Sequence, residues 1–177
     1  TFAGDQATDP ANQTIRIAIT QEPPQLNSFL TDDSVSMMVL GHVMEGLLRY
    51  DKRGRLKPGV AERWDIDSEG ATFYLRKDAL WSDGKPVTAH DFIFAWRMAV
   101  DPVVASEYAF IMYPVKNAEA INTGKLKDIT QLGVKAIDDY TLKVEFEYPC
   151  GYFLGLAAFS TYFPVREDFY KSKGDKY

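Results

Sequence analysis

The sequence predicts a mixed α/β (α+β) domain, and two periodic patterns and one turn signal lead to that prediction. Residues 142–148 alternate between apolar and polar side chains, which is typical of a strand with one buried and one wet face. Apolar residues recur at four-residue spacing in residues 35–47, as they do on one face of an amphipathic helix. The dipeptide Asp83-Gly84 signals a tight turn between two extended segments.

The sequence of the first third of the chain predicts a polar lead-in over residues 1–13, followed by one strand and one helix. Residues 15–19 alternate and are rich in isoleucine, which predicts a strand, and Pro23-Pro24 ends it because proline donates no ladder hydrogen bond. The polar residues 32–34 can cap the following helix, which we expect to end near Gly46.

Beyond Gly46, strands and short helices are expected to alternate. Thr88 followed by Asp91 resembles a capping box at the start of a helix whose face carries Phe92 and Trp96. The other expected elements are strands at 47–51, 64–66 and 72–76 with turns at 52–54 and 67–70, helices at 106–112 and 116–123, a hairpin of 134–137 with 142–148, a helix at 152–159, a strand at 162–165 and a helix at 168–173.

Composition excludes several classes of function. The 177 residues carry a net charge of −5, which argues against nucleic-acid binding, since that requires a basic stripe. No apolar run approaches the roughly 20 residues of a membrane span. The start of the chain lacks the basic and apolar regions of a signal peptide, so we expect any such peptide to have been removed.

The sequence offers no catalytic pattern. The two histidines, His42 and His90, have no companion residues at metal-binding spacing, and no phosphate-binding glycine loop is present. The single cysteine, Cys150, follows a proline and precedes an apolar segment, which favours a packing role. We therefore expect no catalytic residue, no metal site and no cofactor.

A series of short segments, in a fixed order, resembles one known family. They are Glu45-Gly46-Leu47-Leu48, Pro58 to Trp64 (PGVAERW), Phe73 to Gly84 (FYLRKDALWSDG), Val87 to Phe92 (VTAHDF), Asp101-Pro102, Gly133 to Leu142 (GVKAIDDYTL) and Phe163-Pro164-Val165. This set resembles the family 5 solute-binding proteins, the peptide-binding components of ABC importers, and is most similar to their oligopeptide-binding branch. The resemblance runs from about Ile15 to the C-terminus.

The resemblance implies a fragment of a class II periplasmic-binding-protein-like fold. Residues 1–44 would be the start of lobe I, residues 45–165 a small second domain, and residues 166–177 the start of the return to lobe I. Family members are much longer, so the rest of lobe I and the whole second lobe would follow. The complete protein would be an extracytoplasmic, non-enzymatic receptor that closes two lobes over an oligopeptide and delivers it to membrane permease subunits.

The resemblance also assigns a ligand-binding set. The segment before the first long helix, here Asp32, Asp33 and Ser34, would lie alongside the bound peptide and pair with its backbone as an added strand. Tyr108 corresponds to a tyrosine that faces the cleft, although a buried structural role is its alternative. Four aromatics of the matching segments are expected in the core of the second domain instead: Trp64, Phe73, Trp81 and Trp96.

Two alternatives stay open at this stage. The same family includes binders of nickel complexes, haem, oligosaccharides and murein peptides, and the missing lobe would discriminate among them. A hydrolase of unrecognised type is the second alternative, although no nucleophile–base pair supports it. We also predict that the strand at residues 15–19 stays outside the sheet formed by 72–76 and 142–148, and that its open edge pairs with a second copy of the chain or with a neighbour.

Overall fold

The computed structural model describes residues 8–9 and 11–174, in which short strands and helices alternate. In chain order they are β1 (Thr8–Asp9), β2 (Thr14–Ile15), α1 (Ser34–Val43), β3 (Leu48–Tyr50), β4 (Leu56–Pro58), β5 (Ala61–Ile66), β6 (Gly70–Leu75), α2 (Ala89–Val100), α3 (Ala118–Asn122), β7 (Val134–Asp138), β8 (Thr141–Glu145), α4 (Phe153–Leu156) and α5 (Glu167–Lys173). Within the same part of the chain, 3₁₀ turns occupy Ala109–Met112, Ile129–Gln131 and Ser160–Tyr162.

A four-stranded antiparallel sheet in the order β5–β6–β8–β7 is the centre of the fold. Its faces differ as the alternating pattern predicts: on β8, Leu142 is buried and Lys143 is exposed. The predicted alternation is confirmed as far as Phe146, which is buried. It is wrong at Tyr148, which is exposed because β8 has already ended and the side chain no longer belongs to a sheet face.

The hairpin between β5 and β6 depends on one aspartate and one glycine. Asp67 accepts hydrogen bonds from the backbone N–H groups of Glu69 and Gly70, and its own N–H donates to the Gly70 carbonyl at 3.0 Å. Gly70 also opposes β8 so closely that a Cβ atom there would lie 2.1 Å from the carbonyl oxygen of Val144. The predicted turn at residues 67–70 is confirmed, and it brings β6 into contact with β8.

The strand predicted at residues 15–19 is mostly wrong. Thr14–Ile15 pairs with Thr8–Asp9 in a separate two-stranded sheet, and residues 16–19 adopt no strand. Alternation is typical of a half-buried strand, but a neighbouring strand must also supply hydrogen bonds. The segment does stay outside the four-stranded sheet, so that part of the prediction is confirmed.

Helix α1 begins where the sequence predicts, with Asp33 as its N-cap, but it ends at Val43 rather than near Gly46. The chain must straighten here because the Gly46 carbonyl accepts a hydrogen bond from the Val60 N–H at 2.9 Å. That bond joins the end of the α1 region to the start of β5. The following hairpin, β3 with β4, turns at residues 52–54 as expected.

Helix α2 has the predicted capping box. The Thr88 N–H donates to the Asp91 carboxylate at 2.8 Å, and the Thr88 side chain completes the reciprocal contact. The turn at Asp83-Gly84 is confirmed as well, since Gly84 has φ +85° and the backbone N–H of Trp81 donates to the Lys85 carbonyl at 2.8 Å.

The core lies between the sheet and α2. Phe73 and Trp96 are fully buried, as expected, and the Trp96 indole N–H donates to the Tyr162 carbonyl at 2.9 Å. Trp64 and Trp81 are only half-buried, which corrects the prediction that they belong to the core. Trp64 lies on the edge strand β5, and Trp81 lies in a loop beside a groove, so neither is covered on all sides.

The C-terminal segment departs most from expectation. The strand predicted at residues 162–165 is wrong: Ser160–Tyr162 is a 3₁₀ turn, and the next residues join no sheet. Their apolar character reflects burial, since Tyr162, Phe163 and Val165 are all buried. The predicted helices at 106–112 and 152–159 shrink to a 3₁₀ turn at Ala109–Met112 and to the four residues of α4.

Candidate functional site

Residues 32–34 sit at the N-terminus of α1 and divide into two roles. Asp33 is the N-cap: one carboxylate oxygen accepts the N–H groups of Val35 at 3.0 Å and Ser36 at 2.8 Å. The Ser36 hydroxyl and these N–H groups hold the pKa of Asp33 below its usual range. Asp32 and Ser34 are exposed. The exposed side chains are therefore those of Asp32 and Ser34, whereas Asp33 caps the helix through Oδ1 and its Oδ2 is buried without a partner among the described residues.

The segment just before Asp32 is anchored firmly. The Asn27 carbonyl accepts both the Thr31 N–H at 2.9 Å and the Thr31 hydroxyl at 2.8 Å. Phe29 is buried, and its ring lies 5.9 Å from that of Tyr170 at the other end of the chain. Asp33 has extended backbone angles, φ −105° and ψ 149°. The structure thus presents a fixed, extended stretch of backbone in front of α1.

Tyr108 lies half-buried at the start of the Ala109–Met112 turn. Its ring centroid is 5.7 Å from that of Phe110, on which it stacks, and 5.6 Å from that of Phe159, against which it is tilted. Among the described residues its hydroxyl has no hydrogen-bond partner. Aromatic contacts hold the ring and leave the hydroxyl for another partner.

The Ser160–Tyr162 turn links the two predicted parts of the site. Helix α1 packs against this turn, and Tyr108 contacts Phe159, the residue immediately before it. The hydroxyls of Ser160 and Thr161 are buried and have no partner among the described residues. The helix that follows Asp33 and the ring of Tyr108 therefore both adjoin one polar, buried turn, which only an apolar run signalled in the sequence.

A groove of about 810 Å³ lies elsewhere and contains none of the predicted ligand-binding residues. Its lining combines aromatic, aliphatic and charged side chains, among them Tyr50, Leu80, Trp81, Phe163, Arg76 and Arg166. Sequence reasoning missed it because Trp81 was expected in the core.

Trp81 is held in the wall of this groove by a buried carboxylate. Its indole N–H points to Asp91 at 3.3 Å, and Asp91 also caps α2. Burial raises the pKa of the Asp91 carboxyl, and the hydrogen bonds from Thr88 and Trp81 offset part of that effect. All of these donors reach one oxygen of the carboxylate, Oδ2, an arrangement typical of a structural carboxylate.

Arg166 closes a network of charges beside the groove. It donates to Asp83 and Asp168, and Lys85 donates to Asp168 at 2.7 Å. The hydrogen bond to Asp83 raises the pKa of Arg166, and the pKa values of Asp83 and Asp168 are lowered by their cationic partners. These pairs tie the Asp83-Gly84 turn to the start of α5.

The described residues contain no group of three or more histidine, cysteine or acidic side chains that could hold a metal ion. His90 lies 3.4 Å from Asp139 on the surface, and Cys150 is buried. Across residues 8–9 and 11–174, no helix is both long and apolar enough to cross a membrane.

Comparison with known proteins agrees with this architecture. Residues 55–177 match the model of bacterial extracellular solute-binding proteins, family 5 Middle. The chain belongs to this family. The oligopeptide-binding protein OppA of Bacillus subtilis (strain 168) is 44% identical over 156 residues, which are 87% of this chain and 28% of that protein.

Two further relatives bear on the ligand. The substrate-binding domain of an oligopeptide ABC transporter from Bacillus anthracis str. Ames superposes with a TM-score of 0.87 at 49% identity, covering 91% of this chain and 31% of that one. A probable deoxycholate-binding periplasmic protein of Escherichia coli (strain K12), YgiS, is 38% identical over 93% of this chain and 31% of its own length. The chain thus spans about a third or less of the relatives it matches.

Proposed function

We propose that the protein is an extracytoplasmic receptor of an ABC importer that captures oligopeptides between two lobes and delivers them to membrane permease subunits. The observation that carries the proposal is the 44% identity to an oligopeptide-binding protein over 87% of the chain. The relatives are binding proteins, and the described residues offer no nucleophile–base pair or metal cluster, so we propose a binding function without catalysis.

We propose a division into residues 1–44 as the start of lobe I, 45–165 as a small second domain and 166–177 as the return to lobe I. All strands of the four-stranded sheet fall between residues 61 and 145. The chain enters and leaves this unit at adjacent points, because a Cβ atom on Gly46 would lie 2.8 Å from the Phe163 ring. Two neighbouring crossings are expected where a separate domain is inserted into the chain of lobe I.

In this proposal a peptide lies along the extended backbone at Asp32, Asp33 and Ser34 and against Tyr108. Main-chain hydrogen bonds of the added-strand type give affinity without depending on peptide sequence. The Tyr108 ring adds contact area at a low cost in side-chain entropy, since it has only two rotatable bonds and is already held by two rings.

The test is calorimetric titration of the full-length protein with short peptides of varied sequence. We expect Tyr108→Ala to weaken all of them about tenfold, because the loss falls on the part of the cleft that contacts the peptide backbone. Tyr50→Ala, at an exposed tyrosine in the separate groove, is the matched control and should leave the affinities unchanged. Equal affinities for wild type and Tyr108→Ala would remove Tyr108 from the site.

The isolated 177-residue chain should bind the same peptides weakly or not at all. One wall of a cleft leaves most of a ligand's surface in water, whereas binding sites usually enclose it. Nanomolar or low-micromolar binding by this chain alone would contradict the two-lobe mechanism.

A second solute class is favoured by one relative, the probable deoxycholate-binding protein. Titration of the full-length protein with deoxycholate, beside trialanine, discriminates between the two classes. Binding of trialanine with no response to deoxycholate supports the peptide proposal, and the opposite result replaces it. Mass spectrometry of the recovered peptide should show it intact, as expected for a receptor.

We also propose that this chain self-associates through the segment around β2. Ile15, Ile17 and Ile19 are 69%, 46% and 39% exposed, so a row of large apolar side chains faces solvent on a segment with strand-like alternation. Ile17→Lys should shift light-scattering mass towards the monomer. A wild-type chain that is already monomeric at high concentration would refute the proposal.

A further inference from the structure

Two aromatic rings contact Tyr108, and they come from different parts of the chain. Phe110 belongs to the Ala109–Met112 turn and Phe159 immediately precedes the Ser160–Tyr162 turn. The ring of Phe110 stacks on that of Tyr108 with an interplanar angle of 28°, and the ring of Phe159 is tilted against it by 33°. A ring held between two neighbouring rings is restricted in its rotation.

The two turns that carry these rings are fixed to each other. The Tyr162 hydroxyl donates to the Ile111 carbonyl at 2.8 Å, and the Trp96 indole holds the Tyr162 carbonyl from the core. Met112 is fully buried and anchors the first turn. The positions from which the rings project are therefore set by the core, independently of Tyr108.

Phe110 is unusual within its turn. It is 57% exposed, whereas its neighbour Ala109 is 3% exposed. Packing in the core therefore does not account for a large aromatic side chain at this position. Among the described residues its aromatic contact is with Tyr108, so the ring is placed where its main effect is on the tyrosine.

We propose that Phe110 and Phe159 are positioning residues that hold the Tyr108 ring for the ligand, and that Phe110 affects peptide affinity only through Tyr108. The inference rests on the proposed function, in which Tyr108 contacts the peptide. A side chain that is already fixed loses little freedom on binding, so a pre-positioned ring gives tighter binding than a mobile one.

The test is a double-mutant cycle in the full-length protein, titrated with trialanine. This peptide has only methyl side chains, which limits any direct contact with the Phe110 ring. We expect Phe110→Ala to weaken binding about fivefold, which corresponds to about 1 kcal/mol. In the Tyr108→Ala background the same substitution should change affinity by less than about 1.5-fold, because the residue through which it acts is gone.

Three further variants complete the design. Phe110→Tyr keeps a six-membered aromatic ring and should retain wild-type affinity. Phe159→Ala should reproduce the effect of Phe110→Ala, with its folding checked by circular dichroism because this ring is half-buried. Phe169→Ala is the control: it removes another exposed phenylalanine ring, which is 45% exposed on α5 and lies away from Tyr108, and it should leave affinity unchanged.

The outcomes separate the inference from the proposed function. Equal losses from Phe110→Ala in both backgrounds would mean that Phe110 touches the ligand directly, which overturns the positioning role. A loss from Tyr108→Ala with none from Phe110→Ala would overturn the inference and leave the proposed site intact. No loss from Tyr108→Ala would overturn both.

Discussion

Replacing Gly70 with alanine is the sharpest test of the sheet described above. Gly70 pairs with Glu145 where β6 meets β8, and a Cβ atom there would lie 2.1 Å from the Val144 carbonyl oxygen and 3.2 Å from its carbon. Both neighbours are backbone atoms, so no side chain can rotate away. The two strands must separate, which strains or breaks hydrogen bonds of the ladder.

The magnitude follows from this contact. The Cβ–oxygen distance must grow by about 0.9 Å to reach the shortest distance that real Cβ atoms show. Overpacking in a well-packed interior costs about 1–3 kcal/mol, and we expect the upper end here because the obstacle is a central strand. For a chain of this length about 3 kcal/mol lowers Tm by roughly 6–12 °C, measurable by calorimetry or circular dichroism.

Gly41→Ala is the matched control. Gly41 lies within α1, is exposed and has no atom within 4 Å of an added Cβ. Alanine is favoured over glycine inside a helix by roughly 1 kcal/mol, so this variant should be as stable as wild type or more stable. If Gly70→Ala melted within about 2 °C of wild type, the close approach of β6 and β8 would be wrong.

Three further outcomes are expected. Trp81→Ala should cost about 1–2 kcal/mol rather than the 3–5 expected of a fully buried tryptophan, since the ring is half-buried; a larger loss by urea denaturation would show deeper burial. Thr161→Val should be neutral or stabilising because the buried Thr161 hydroxyl has no partner among the described residues. Thr31→Val loses a 2.8 Å hydrogen bond and should cost about 1–2 kcal/mol of stability. A lower Tm for Thr161→Val than for Thr31→Val would contradict the burial pattern. Burial raises the pKa of Asp91 above 3.8, so its contribution to stability is present below pH 3.8 and is lost as pH rises through the native pKa. The stability advantage of wild type over Asp91→Asn should therefore be smaller at pH 7 than at pH 4. An advantage that grows with pH would contradict this reasoning.

Features set by neighbouring residues could be predicted from the sequence. The capping box of Thr88 and Asp91 and the turn at Asp83-Gly84 depend on side chains and backbone angles within a few residues, and both are confirmed. The alternation of β8 is confirmed as far as Phe146 for the same reason, since each residue of a strand faces a side opposite to that of its neighbour.

Features that depend on distant partners could not be predicted from the sequence. The row of isoleucines at residues 15–19 has the pattern of a strand, but only Thr14–Ile15 finds a partner. The end of α1 depends on a hydrogen bond between the Val60 N–H and the Gly46 carbonyl. The residues 162–165 are apolar because they are buried against the core, not because they form a strand. For the candidate site, the cap role of Asp33 followed from its position, whereas its indirect connection to Tyr108 through residues 159–162 required the fold.

The charge network at Arg166 has a consequence for how the chain folds. Arg166 and Asp83 are 83 residues apart in sequence, as are Lys85 and Asp168. Closing so long a loop is entropically unfavourable, so these surface pairs form only after the intervening sheet and α2 have brought their ends together. Interactions that arise after the rate-limiting step slow unfolding but do not accelerate folding. We therefore expect this network to slow unfolding without accelerating folding, and Arg166→Met should raise the unfolding rate more than it lowers the folding rate.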